Sequence, residues 1–135
     1  MNTRDYIEKN FELEFGRWVR HAYQGKSTLF ELKATPDSYL NFNRLEEHQM
    51  AALTAGKHGK MWFKIPDTDY LNKRPCDGVF FRGAEAFVVV MYRCKERGMK
   101  DFYLIEIDDW ITESGVAKSL SEQRAKEIGV TCKLV

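Results

Sequence analysis

Glu31 and Lys33 are the residues of this chain whose types and spacing could do chemistry. They sit in Thr28-Leu29-Phe30-Glu31-Leu32-Lys33-Ala34-Thr35, an otherwise apolar run. As a β-strand, this run turns alternate side chains to opposite faces, which pairs Glu31 with Lys33 and sends Phe30, Leu32 and Ala34 into the core. A carboxylate is a hard-oxygen ligand for a divalent cation, and an ammonium beside it can stabilise developing negative charge or orient a water. The same pair also fits a half-buried strand with an ordinary salt bridge, and these residues alone leave both readings open.

A third polar side chain is aimed at the same strand. After the turn signal Pro36-Asp37, Asn43-x-x-Glu46 reads as a capping box that opens a helix running to about Gly56-Lys57. At roughly 100° per residue, Gln49 falls between Leu45 and Leu53 on the face turned to the sheet. It can bond backbone there, as buried amides do, or reach the strand's charged pair.

Other elements must position these groups. Thr3 can cap a first helix reaching about Tyr23, with Ile7, Phe11, Phe15, Trp18 and Ala22 as one apolar stripe. A strand is expected at about 60 to 65, parallel to the Glu31 strand because a helix joins the two. Residues 66 to 77 form a long polar loop. Val79-Phe80-Phe81 and Ala86 to Tyr92 are expected to make a hairpin around Arg82-Gly83-Ala84, the second strand being central because its apolar run is unbroken. Phe102 to Ile107 supplies another strand. The last helix opens at a capping box, Ser119-x-x-Glu122, and ends at Gly129, leaving Val130 to Val135 as an edge strand. The expectation is a single α/β domain over residues 1–135, with a mixed central sheet flanked by helices.

The order of short motifs carries a resemblance. Glu31-x-Lys33, an extended turn and Glu46-Glu47-His48-Gln49 entering a helix resemble the nuclease-fold Holliday-junction resolvases, the RecU-like group in particular. The run continues through Lys64-Ile65-Pro66-Asp67, Arg74-Pro75-Cys76-Asp77-Gly78, Ala86 to Val90, Phe102-Tyr103-Leu104-Ile105 and Lys118-Ser119-Leu120-Ser121-Glu122. Over nearly the whole chain it is similar to small phage-encoded resolvase-like nucleases of the PD-(D/E)XK, restriction-endonuclease-like superfamily.

That resemblance implies a Mg²⁺-dependent (or Mn²⁺-dependent) endonuclease acting on branched DNA, the four-way junction above all, as a homodimer in the cytoplasm of a host cell. Glu31 would hold metal, Lys33 would orient the water or stabilise the phosphorus centre, and Gln49 would steady Lys33 or the water from behind. Glu14 borders the first helix's apolar stripe and could add a ligand, although it also fits a solvated flank and Glu8 borders the stripe equally well. The chain departs from the pattern in one respect: Tyr23 to Phe30 contains no acid where an aspartate is usual. Asp77, at the start of a strand, is the expected substitute and Asp67 the fallback, while Asp77-Gly78 could equally be a turn. A catalytically inactive nuclease-fold module that binds branched DNA or a protein partner is the alternative.

Composition narrows the partners. In 135 residues, 21 basic and 20 acidic side chains give a net charge of +1, so any surface for DNA must be local. Candidates are Arg17, Arg20, Lys26, Lys73 and Arg74, with Lys57 and Lys60 beside them. Cys76, Cys94 and Cys132 are odd in number and without C-x-x-C spacing, which argues against a disulfide framework or a zinc site. His21, His48 and His58 lie in separate segments and read as surface or packing residues. Neither a signal-peptide apolar region nor a stretch of membrane-spanning length is present, so a soluble, unexported protein is expected.

Overall fold

A computed structural model describes residues 3–22, 27–64, 78–98 and 100–133. The apolar run from Ala86 to Val90 lies in β5 (Glu85–Met91), and Val88, Val89 and Val90 are wholly buried. A strand with no polar face can survive only when covered on both sides. Beside it run β1 (Thr28–Ala34) in parallel and β6 (Asp101–Glu106) in antiparallel, and β8 (Val130–Lys133) pairs with the far side of β6. The sheet order is β1-β5-β6-β8, which leaves β1 and β8 as edges.

Helices cover both faces. On one lies α1 (Thr3–Ala22), whose Ile7, Phe11, Phe15 and Trp18 pack on Phe30, Leu32, Val89 and Phe102. Edge-to-face ring pairs, Phe15–Phe30 at 4.9 Å and Trp18–Phe102 at 5.1 Å between centroids, add direction to that burial. The other face carries α2 (Glu47–His58), α3 (Ile107–Ser114) and α4 (Glu122–Ile128). A short ribbon of β2 (Tyr39–Asn41) and β7 (Ser119–Ser121) joins them around Leu40, Leu53, Trp110 and Leu120. The chain is thus α/β, a mixed central sheet flanked by helices, as expected. Among the described residues, no helix is long and apolar enough to cross a membrane.

Several expected connections are corrected. β3 (Lys60–Lys64) is not parallel to β1; it pairs antiparallel with β4 (Gly78–Arg82) in a separate two-stranded sheet. β4 and β5 therefore do not form a hairpin. Between them Gly83 takes a left-handed φ of 63°, Ala84 N–H bonds Gly56 carbonyl, and Glu85 N–H bonds Ser27 carbonyl. These bonds turn the chain from one sheet into the other. The parallel partner of β1 is β5, reached by the long crossover instead.

Two helix starts also shift. Residues Phe42–Arg44 form a 3₁₀ turn, and the capping box is Glu46 with Gln49, not Asn43 with Glu46. Ser121, not Ser119, caps α4, its Oγ accepting Arg124 N–H at 3.1 Å, because the β2–β7 ribbon extends through Ser121 and the helix begins only at Glu122. Helix α3 was not expected: Phe102 to Ile107 read as one strand, yet the chain passes straight from β6 into a helix that begins at Ile107 and whose first turn carries Asp108 and Asp109.

Candidate active site

Strand alternation divides β1 between the two layers. Phe30, Leu32 and Ala34 pack with α1, while Leu29 packs with the α2 layer. Glu31 and Lys33 share the face of Leu29, beside Val88 and Val90 of β5. Because β1 is an edge strand, the pair lies where the sheet meets its surroundings.

Lys33 Nζ stands 3.2 Å from Glu31 Oε1. Lys33 is only 8 % exposed, whereas the Glu31 side chain keeps 29 % of its surface. An ammonium so withdrawn from water needs a charged partner, and Glu31 is that partner. The carboxylate faces outward on the same side, a half-open position from which it could also reach a ligand.

Gln49 completes the group. Its Nε2 donates to Glu31 Oε1 at 2.7 Å, and its Oε1 accepts the backbone N–H of Glu46 at 3.0 Å. The cap occupies the carbonyl end of the amide, which directs the N–H end at Glu31. The glutamine expected to face the sheet does so, and it holds Glu31 where Lys33 or a water was expected.

Two contacts fix α2, one against β1 and one against the junction of β6 and α3. Gly56, two turns beyond Gln49, is buried against β1, and a Cβ built there would collide with the Leu29 side chain. At the helix's far end Lys57 pairs with Glu106 and, at 2.6 Å, with Asp108, and His58 Nε2 lies 2.8 Å from the same carboxylate. Hydrogen bonds from Lys57 and then His58 hold the Asp108 carboxyl below its ordinary range. Lys57 therefore serves the junction of α2 and α3 and is not a spare cation for DNA.

The end of β1 contributes groups that sequence reasoning missed. Thr35, 3 % exposed, donates from Oγ1 to Tyr39 carbonyl at 3.1 Å and accepts Asp37 N–H at 3.2 Å, closing the turn at Pro36. Arg44 Nη2 donates to Ala34 carbonyl at 3.3 Å. The turn was legible in Pro36-Asp37, without the part Thr35 plays in it; nothing in the sequence near Arg44 announces a contact ten residues back.

Other expected residues fall elsewhere. Glu14 and Arg17 line a cavity of about 670 Å³ with Asn10, Met91, Cys94 and Lys100, on the α1 side of the sheet. Glu31 points to the opposite side, so Glu14 is corrected as its metal-sharing neighbour. Arg20 and Glu8 lie in α1, with side chains outside those described. Lys26, Asp67, Lys73, Arg74 and Asp77 lie outside the described residues. The geometric premise for Asp77 and Asp67 is nevertheless corrected: the strands they adjoin, β4 and β3, pair with each other and not with β1. Among the described residues no group of three or more histidine, cysteine, aspartate or glutamate side chains converges on a metal-sized site.

No family model, curated protein or solved structure matches this chain.

Proposed function

We propose that the chain is a Mg²⁺-dependent, structure-specific DNA endonuclease, with the four-way junction as its substrate. The observation that carries this reading is the joined arrangement of Glu31, Lys33 and Gln49 at an edge of the central sheet. A pair with only a structural role needs no third group aimed at the carboxylate from a neighbouring helix. The restriction-endonuclease-like arrangement is supported by a Glu-x-Lys strand backed by a glutamine helix. The hairpin that usually precedes such a strand is replaced here by α1 leading toward β1.

The donor chemistry suits a hard cation. Mg²⁺ takes oxygen ligands and is commonly held by one or two carboxylates together with substrate phosphates and water. Glu31 supplies one carboxylate, and substrate phosphates and water would fill the remaining positions. The ion when bound would neutralise phosphate charge and lower the pKa of a coordinated water. Glu31 would hold it, and Gln49 would fix the carboxylate's orientation. Lys33 would place positive charge where the pentavalent phosphorus gains negative charge, in surroundings where a charge acts more strongly than in water. A four-way junction is two-fold symmetric, so paired cuts call for two copies of one small site, and the working form is a homodimer.

One observation favours a second reading: among the described residues Glu31 belongs to no group of three or more histidine, cysteine, aspartate or glutamate side chains that could hold a metal ion. An inactive module of the same fold would bind branched DNA without cutting it. Incubating the protein with an end-labelled synthetic junction, with and without Mg²⁺, separates the two; cleavage supports the nuclease and binding alone supports the module.

A further inference from the structure

We infer that His48 is the general acid of the cleavage reaction, giving a proton from Nε2 to the 3′-oxygen that leaves phosphorus; this rests on the nuclease reading above. Its place follows from the helix that carries it. Gln49 reaches Glu31 from α2, and Gly56 of the same helix abuts Leu29, so this side of α2 is turned to β1. At roughly 100° per residue, Met50 lies to one side of Gln49, and Lys57 turns the same way. Met50 packs on the core, and Lys57 meets Glu106 and Asp108. His48 lies as far to the other side of Gln49, clear of that core, and its side chain keeps 75 % of its surface. The next residue in the chain, about 3.8 Å away between Cα atoms, is the one that touches Glu31.

The imidazole is oriented for proton transfer. Its Nδ1 stands 3.3 Å from Glu46 Oε2, and a carboxylate can only accept, so the proton of the neutral ring is held on Nδ1 and Nε2 is left to take up or release another. Glu46 is itself fixed as the cap of α2, its side chain accepting the backbone N–H of Gln49. In-line displacement sets the attacking water and the leaving oxygen on opposite sides of phosphorus. Glu31 and Lys33, both on β1, serve the metal and the charge at phosphorus; His48, rooted in α2, has a proton to give from another side. The water oxygen bonds to phosphorus, and the P–O3′ bond breaks with its electron pair on O3′. The proton on Nε2 passes to O3′, which leaves as a 3′-hydroxyl, and the proton lost by the water restores the imidazolium through solvent. His58 is engaged by Asp108 at the far end of α2 and cannot serve in its place.

The test compares the wild-type protein and His48→Ala on two synthetic four-way junctions, one with ordinary phosphodiesters and one with sulfur as the 3′ bridging atom of the bond that the wild type cuts. A thiolate leaves without a proton, so the acid is needed only for the oxygen junction. Junction binding without divalent cation, thermal midpoints and imidazole ¹⁵N shifts of the metal-free protein are recorded with the kinetics. His48→Ala is expected to lower kcat on the oxygen junction roughly a hundredfold, with binding and midpoint kept, and to cut the sulfur junction at the wild-type rate. The ¹⁵N shifts should show the neutral ring protonated on Nδ1. An unchanged kcat on oxygen, an equal loss on both junctions, a 5′-hydroxyl on the wild-type product or a neutral ring protonated on Nε2 overturns the acid. A wild-type protein that binds the ordinary junction without cutting it in Mg²⁺ overturns the nuclease reading, and the acid with it.

Discussion

The amide of Gln49 lies between the backbone N–H of Glu46 and the carboxylate of Glu31, accepting from the first at 3.0 Å and donating to the second at 2.7 Å. One side chain therefore caps α2 and orients the strand carboxylate eighteen residues earlier. The two tasks separate by substitution. Gln49→Glu keeps an acceptor for the cap but sets a like charge against Glu31; Gln49→Ala removes both. Cleavage is expected to fall about 10- to 100-fold in each, as for a residue that orients a metal ligand. Only Gln49→Ala should also lose about 1 kcal/mol of stability from the missing cap. Equal stability loss in the two variants would assign Gln49 to the helix alone.

Lys33 offers a contrast between stability and activity. Replacing a buried ion by an apolar side chain of similar length is often neutral or stabilising. Lys33→Met is expected to keep or raise the thermal midpoint, since Glu31 remains partly exposed, while abolishing cleavage. A large drop in midpoint would instead show that the ion pair serves the fold.

Tyr103 sets an alkaline limit. Burial, with Glu122 and Asp101 nearby, pushes its hydroxyl up to about 12. The folded state holds this proton more tightly than the unfolded chain, so the contribution is fully present below the unfolded value of about 10 and is lost as pH rises toward 12. Thermal midpoints recorded between pH 8 and 12 should fall through that window, and Tyr103→Phe should flatten the decline.

Homodimerisation is checked by sedimentation. A two-copy species, free or bound to junction, is expected; a monomer under both conditions would contradict paired cutting.

The sequence made some of this legible and hid the rest for identifiable reasons. The alternation around Glu31 and the continuous apolar run of β5 fixed two strands, because burial on one face or two leaves a direct trace in polarity. Gln49 was found by helical periodicity even though its cap was misplaced by one turn. Strand partners were not legible. The choice of β5 over β3 as neighbour of β1 depends on long-range bonds such as Ala84 to Gly56, which leave no local pattern. Glu14 was misplaced for the same reason: helix periodicity gives the face turned to the sheet but not which side of the sheet that helix covers.

The most direct test is cleavage of a labelled four-way junction by the wild-type protein and by Glu31→Gln, each with Mg²⁺ and with chelator. Glu31→Gln keeps the shape of the side chain and an acceptor for Gln49 and Lys33, so folding and junction binding should persist. Losing the carboxylate should cost on the order of 3 kcal/mol of transition-state stabilisation, more than a hundredfold in rate. The account expects Mg²⁺-dependent paired nicks from the wild type and none from Glu31→Gln at equal binding. Cleavage by Glu31→Gln at the wild-type rate, or a wild-type protein that binds the junction and leaves it intact in Mg²⁺, would contradict it.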